Sequence, residues 1–283
     1  MRRATTARDA LLELPAAPRR VGVAGWSILP APLHLGLARG VDAPDVVDVT
    51  GDLVALRQVK SPAEVALLRE AGRITSAGAA AFAEGVVAGA DERELALAVE
   101  TAMRRAGSGP LAFPLVLGGG ADATATAVPF PAERRLAAGE PVLLDCGGTR
   151  LGYCGDMART ATPGPPPDAL RALLDATLAA YEAGVAALRP GARADEVHAA
   201  CVETARARGY EMPFLVGHGI GCENQEPPRL DGLDTTTLVE GMVVTVEPGI
   251  YVPGLGGARI EDTFLVTRDG CEALTHGPLA LWS

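Results

Sequence analysis

Pro141-Val142-Leu143-Leu144-Asp145-Cys146-Gly147-Gly148, followed three residues later by Gly152-Tyr153-Cys154-Gly155-Asp156-Met157-Ala158-Arg159-Thr160, is the stretch on which the reading of this chain turns. An apolar run predicts a buried strand. It ends on Asp145, glycines reverse the chain, and the returning strand, running through Thr162, carries Asp156. Two later runs repeat the pattern: Met242-Val243-Val244-Thr245-Val246-Glu247 before Pro248-Gly249, and Arg259-Ile260-Glu261-Asp262-Thr263-Phe264-Leu265-Val266, read as one strand. A carboxylate among apolar strand residues is costly to desolvate unless it is paired or bound to a cation. Four such acids ask for one explanation, and a pair of divalent cations supplies it, because shared carboxylates screen their mutual repulsion. Oxygen-rich shells of this kind favour Mn, Fe or Co. Gly217-His218-Gly219-Ile220-Gly221 adds a nitrogen donor in a loop where the backbone can approach closely. The other histidines, His34, His198 and His276, stand outside any such cluster, with His198 on an amphipathic helix.

Outward from these strands the chain alternates helices and strands. Ser61-Pro62-Ala63-Glu64 reads as a capping box with proline at the first helical position. Val65, Leu68, Gly72 and Ala79 continue it at helical spacing. Gly85 and Gly89 close that helix, and a second is predicted over 92–105. The layout returns: Ala80-Ala81-Phe82, a Gly89 turn and Val99-Glu100-Thr101-Ala102 resemble Ala179-Ala180-Tyr181, a Gly191 turn and Val202-Glu203-Thr204-Ala205. Two helix pairs, each followed by strands, predict an α+β domain with a pseudo-twofold internal repeat over 59–283. Residues 1–58 read as a short α/β segment with strands at Val21–Ala24 and Val46–Val49.

The chain has 283 residues, 48% hydrophobic and 21% charged, which predicts a packed core. A net charge of −10 argues against nucleic acid or an anionic membrane as partner. Five cysteines without a secretory leader or a long apolar window fit reduced thiols in the cytoplasm. Cys154 shares strand parity with Asp156, so a thiolate ligand, which would favour zinc, stands beside the plainer reading of a small buried residue.

The ordered set Leu144-Asp145-Cys146-Gly147, Gly152 to Thr160, Gly217-His218-Gly219-Ile220-Gly221, Val246-Glu247-Pro248-Gly249 and Arg259-Ile260-Glu261-Asp262 resembles the pita-bread metallopeptidases: methionine aminopeptidase, aminopeptidase P, prolidase and the metal-free creatinase. The likeness covers about 57–275, including Arg57, Lys60 and Glu226-Pro227-Pro228. It implies the pita-bread fold and a dinuclear centre. Asp145 would chelate one ion, Asp156 and Glu261 would bridge both, and His218 and Glu247 would complete the second. The ions would be two divalent metals, manganese first, with Co, Fe or Zn as alternatives. Glu247 would serve as general base. Arg259, two residues before Glu261 on the same strand face, either hydrogen-bonds a ligand carboxylate or is a surface arginine. The implied reaction is metal-dependent hydrolysis of a small peptide or amide, of aminopeptidase or Xaa-Pro peptidase type, with a homodimer as the implied assembly.

The chain departs from that family at three non-ligand histidines. Phe130, Phe214 and Gln225 stand where the peptidases carry imidazoles that bind substrate and move protons. Phenylalanine does neither, and an amide hydrogen-bonds without shuttling a proton. The alternative is therefore a repurposed enzyme on the same centre, or a non-catalytic metal- or ligand-binding protein. The relatives also carry a longer amino-terminal domain, of which residues 20–58 resemble only the last part, so either a truncated segment or a start assigned downstream of the real one is expected there.

Overall fold

The computed structural model describes residues 20–32, 45–212 and 215–282. The chain divides into two compact units, one ending at Arg57 and one beginning at Gln58. In the first, β1 (Arg20–Val23) and β2 (Asp45–Asp48) pair in parallel, and α1 (Thr50–Gln58) follows.

The second unit opens on α2 (Pro62–Gly85). Ser61 Oγ accepts from the Glu64 amide at 3.4 Å, and Glu64 Oε2 accepts from the Ser61 amide at 2.8 Å, so the capping box forms as read. The second helix, α3 (Glu92–Arg105), is capped by Asp91. There follow β3 (Val116–Gly119), the short α4 (Ala121–Thr124), β4 (Val142–Cys146), β5 (Thr149–Arg150), β6 (Tyr153–Cys154) and β7 (Met157–Ala161). The layout then repeats with α5 (Asp168–Ala187), α6 (Ala194–Arg206), β8 (His218–Gly219), β9 (Glu226–Arg229) and β10 (Val243–Val246). The unit ends with β11 (Gly249–Val252), β12 (Gly256–Arg259), β13 (Asp262–Thr267) and β14 (Gly270–Ala273).

Each helix pair covers its own sheet. One sheet runs β3-β4-β7; the other runs β14-β13-β10-β8-β9. Ile74, Phe82, Val99 and Met103 pack on Leu117 and Leu144 in the first half. Leu173, Leu174, Val197 and Cys201 pack with Val244 and Ile260 in the second. Helix α2 also approaches the end of the chain closely: a Cβ on Gly72 would fall 2.1 Å from the Leu274 carbonyl oxygen, so only glycine fits there.

Two expected strands prove to be broken, and the breaks matter. The run from Arg259 to Val266 is not one strand: β12 stops at Arg259, β13 starts at Asp262, and Glu261 lies between them. The amide of Glu261 bonds the Ala158 carbonyl at 3.0 Å, and the amide of Arg259 bonds Thr160 Oγ1 at 3.0 Å. These contacts with β7 replace a continuous ladder. The return run through Thr162 is likewise interrupted at Gly155-Asp156. Asp156 and Glu261 therefore sit just ahead of a strand, where their backbone groups are held from outside their own sheet.

Candidate metal centre

The antiparallel pairing of β10 with β13 sets Val246 opposite Asp262, so Glu247 and Glu261 follow as neighbours at the strand ends. The pairing of β4 with β7 sets Asp145 opposite Ala158, two residues from Asp156. His218 opens β8, next to β10. Glu247 follows directly on β10, Asp156 and Glu261 directly precede β7 and β13, and Asp145 is the last residue but one of β4.

The result is one cluster. Ligand atoms of Asp156, His218 and Glu261 lie within 4.8 Å of one another. His218 Nε2 is 3.3 Å from Glu247 Oε1 and 3.6 Å from Asp156 Oδ2. Asp145 lies beside Asp156, and Arg259 Nη2 donates to Asp145 Oδ2. The other Arg259 nitrogen, Nη1, donates to the Ala127 carbonyl at 3.0 Å and to Tyr251 Oη at 3.2 Å.

The electrostatics show what the cluster lacks. Burial pushes the carboxyls of Asp156 and Glu261 well above their usual range, and neighbouring carboxylates push them further. Burial also raises Asp145, against the opposing pull of Arg259, and lifts Glu247 to about 7. Burial lowers His218 to about 4, so its imidazole is neutral. Its Nδ1 faces the Gly219 carbonyl at 3.0 Å; a carbonyl only accepts, so Nδ1 carries the hydrogen. Nε2 then presents its lone pair toward Glu247 Oε1 and Asp156 Oδ2. Asp145 Oδ1, Asp156 Oδ1, Glu247 Oε1 and both Glu261 oxygens are buried without a hydrogen-bond partner. Buried acceptors facing one another with no donor are costly, and a divalent cation is the group that resolves them. The donor set of four carboxylates and one neutral imidazole fits such ions.

The cluster lies in a cavity of about 360 Å³. Phe113, Pro114, Val116, Val128 and Phe130 make an apolar wall, and Asn224 and Gln225 face it from another loop. Phe130 is 63% exposed, at the cavity's edge. Phe214 lies outside the described residues. The two cysteines inside the ligand motifs are packing groups: Cys154 is buried against Leu68, Ile220, Val243 and Leu274, and burial raises its thiol to about 11. Cys146 is buried in the first-half core.

Residues that no local pattern singled out support the site. Arg159, 1% exposed, donates from Nη1 to the Glu261 carbonyl at 2.6 Å and from Nη2 to both oxygens of Asp262 at 3.0 Å. Tyr181 Oη and Thr275 Oγ1 also donate to Asp262, at 2.6 and 2.7 Å. This buried network joins the two sheets directly behind Glu261. Arg159 and Asp262 each lie within the ligand motifs, yet 103 residues apart, and adjacency to a ligand was the only signal available.

The sequence and fold have counterparts among known proteins. The model of metallopeptidase family M24 matches residues 66–268. The chain belongs to this family. Members depend on divalent metal. This M24 chain is 36% identical over 224 residues to an Xaa-Pro dipeptidase of Pyrococcus furiosus, covering 78% of its own length and 64% of that protein's. It thus spans a little under two thirds of that relative. Its structure matches the prolidase from Pyrococcus horikoshii OT3 with a TM-score of 0.91 at 29% identity, over 98% of this chain and 79% of that one. It matches the Xaa-Pro dipeptidase from Bacillus anthracis with a TM-score of 0.88 at 32% identity, over 93% and 74%. The fold of this M24 chain is the pita-bread fold, with mixed helices and sheets. Among the described residues no helix is long and apolar enough to cross a membrane.

Proposed function

We propose that this M24 chain is a peptidase of Xaa-Pro type that cleaves a small peptide or amide, with Asp145, Asp156, His218, Glu247 and Glu261 holding two divalent ions, manganese first. The observation that carries the reading is the set of partnerless buried carboxylate oxygens around the neutral His218, at the wall of a cavity sized for a small ligand. Divalent ions bound there lower the pKa of water and polarise a carbonyl. The chain's own part is to hold and to move protons. Arg259 donates to Asp145 and orients it, and the Gly219 carbonyl keeps His218 in the ligating tautomer. Glu247 is the proton carrier, taking a proton from the attacking water and returning it to the leaving nitrogen. Phe113, Val128 and Phe130 receive an apolar side chain or ring, while Asn224 and Gln225 hydrogen-bond the peptide. Five cysteines without a disulfide support a reducing, cytoplasmic setting.

The test compares chelator-treated protein with Mn- or Co-loaded protein on Xaa-Pro dipeptides and aminoacyl amides. Metal-dependent turnover is expected; silence with every divalent metal refutes the reading. One observation favours a second reading, a different enzyme or a binding protein on the same centre: His218 is the sole imidazole among the described residues lining the cavity. The double substitution Phe214→His and Gln225→His separates the two. Gained peptidase activity supports the peptidase lineage, and unchanged silence supports the second reading.

A further inference from the structure

The sequence holds 25 basic residues, and Lys60 is the one lysine among them. It is also buried. Lys60 Nζ lies 3.3 Å from Glu226 Oε2, with the two side chains 2% and 4% exposed. Nζ donates as well to the Gln58 carbonyl at 3.3 Å. Arg159 and Arg259 are enclosed as guanidinium groups, whereas this enclosed cation is an ammonium. That choice is physical: an ammonium is a compact point charge, whereas a guanidinium is a broad planar fork.

Glu226 is the centre of a turn. Its Oε1 accepts from the Glu223 amide at 3.0 Å, and the Gly221 amide bonds the Glu223 carbonyl at 3.1 Å. Gly221 lies so near that a Cβ there would fall 2.7 Å from Glu226 Oε1. The Gly221 carbonyl accepts from the Cys154 amide at 2.8 Å. The link from β8 to β9 is thus wrapped round one carboxylate, and it carries Asn224 and Gln225 to the cavity. Lys60 is fixed at its other end: its amide bonds the Gly241 carbonyl at 2.8 Å, and Val59 bridges to Met242, just ahead of β10. β10 runs directly into Glu247.

We propose that Lys60 is a positioning residue for the substrate: through Glu226 it ties the 220–225 turn to the base of β10 and sets Asn224 and Gln225 against the bound peptide. It takes no part in holding metal. The assignment of a peptide to this cavity rests on the function proposed above; the tie itself does not.

The test uses full-length, Mn-loaded protein and three variants: Lys60→Met, Glu226→Gln and the double Lys60→Met/Glu226→Gln. Hydrogen exchange is followed segment by segment. In Lys60→Met, exchange in 220–228 is expected to rise about tenfold or more, with 243–247 and 258–265 unchanged. Mn affinity stays within about twofold. KM for an Xaa-Pro dipeptide rises about tenfold with kcat nearly constant, as for lost ground-state positioning. Three results overturn the proposal: a turn as protected as in the wild type, equal loss of protection in every segment, or loss of Mn affinity with KM unchanged. The double variant removes both charges, and should Lys60→Met fail to fold it carries the same measurements. If the wild type hydrolyses no dipeptide, the proposed function fails, and the exchange comparison still decides the tie.

Discussion

Replacing Arg159 by methionine tests the joint between the two halves. Methionine keeps the length and loses every donor. Asp262 then keeps only Tyr181 and Thr275 as partners, and the carbonyls of Glu261 and Pro278 lose theirs. Breaking a buried pair by removing one partner costs about 3–5 kcal/mol, because an uncompensated charge is left behind. Two surviving hydroxyl donors hold the charge cost near the lower end, and the stranded carbonyls add roughly 1 kcal/mol each. A loss of about 4–5 kcal/mol follows, which in a unit of this size lowers Tm by roughly 8–20 °C. Mn affinity should fall about 10–100-fold, since Arg159 fixes the backbone of Glu261. Calorimetry and urea melts of the Mn-saturated protein read the first effect, and metal titration reads the second. Replacing both Arg159 and Asp262 by apolar residues should cost clearly less than the two single losses together. A single-variant cost below about 1 kcal/mol, or full additivity, would refute the reasoning.

His218→Ala should weaken Mn binding by more than the about 10–100-fold that loss of a mere supporting partner costs, measured by titration calorimetry; an unchanged affinity removes His218 from the ligand set. Glu247→Gln should change the pH dependence of the metal-stripped protein. Burial holds the Glu247 carboxyl at about 7, above its ordinary 4.5, so the stability it lends is full below pH 4.5 and lost as pH rises through 7. The stripped glutamine variant should therefore gain about 3 kcal/mol on the stripped wild type between pH 4 and pH 8, and parallel melting curves would contradict this. Gly72→Ala should destabilise by about 1–3 kcal/mol, because its Cβ meets the Leu274 carbonyl, whereas alanine in an open helix would stabilise; thermal melts give the sign. Ser61→Ala should cost about 1 kcal/mol by removing the cap of α2, with metal affinity unchanged.

Much of the architecture was legible because it depends on near neighbours. The capping box at Ser61, the helix over 92–105 and the apolar runs ending in Asp145 and Glu247 are decided by residues within a few positions of each other. Enclosure was legible at Asp145, Asp156, Glu247 and Glu261, fully at Asp156 and Glu261 and in larger part at the other two, since an apolar run carries its acid inward with it. The breaks at Asp156 and Glu261 were not legible. Apolar alternation continues across them, and they arise from hydrogen bonds to another strand, Glu261 to Ala158 and Arg259 to Thr160.

By itself the sequence determined the element types, the internal repeat, the order of the donor residues and the family these imply, because propensity, capping and apolar periodicity act over one or two turns of chain. Only the tertiary structure decided which charges meet: Arg159 with Asp262 across 103 residues, Arg259 with Asp145 across 114, Lys60 with Glu226 across 166. Ion pairs leave no periodic trace, and any of the arginines could face any acid until packing removes water from a particular few. The same packing leaves the donor-poor oxygens round His218, and a missing partner is a property of a folded surface that a string of residues does not carry.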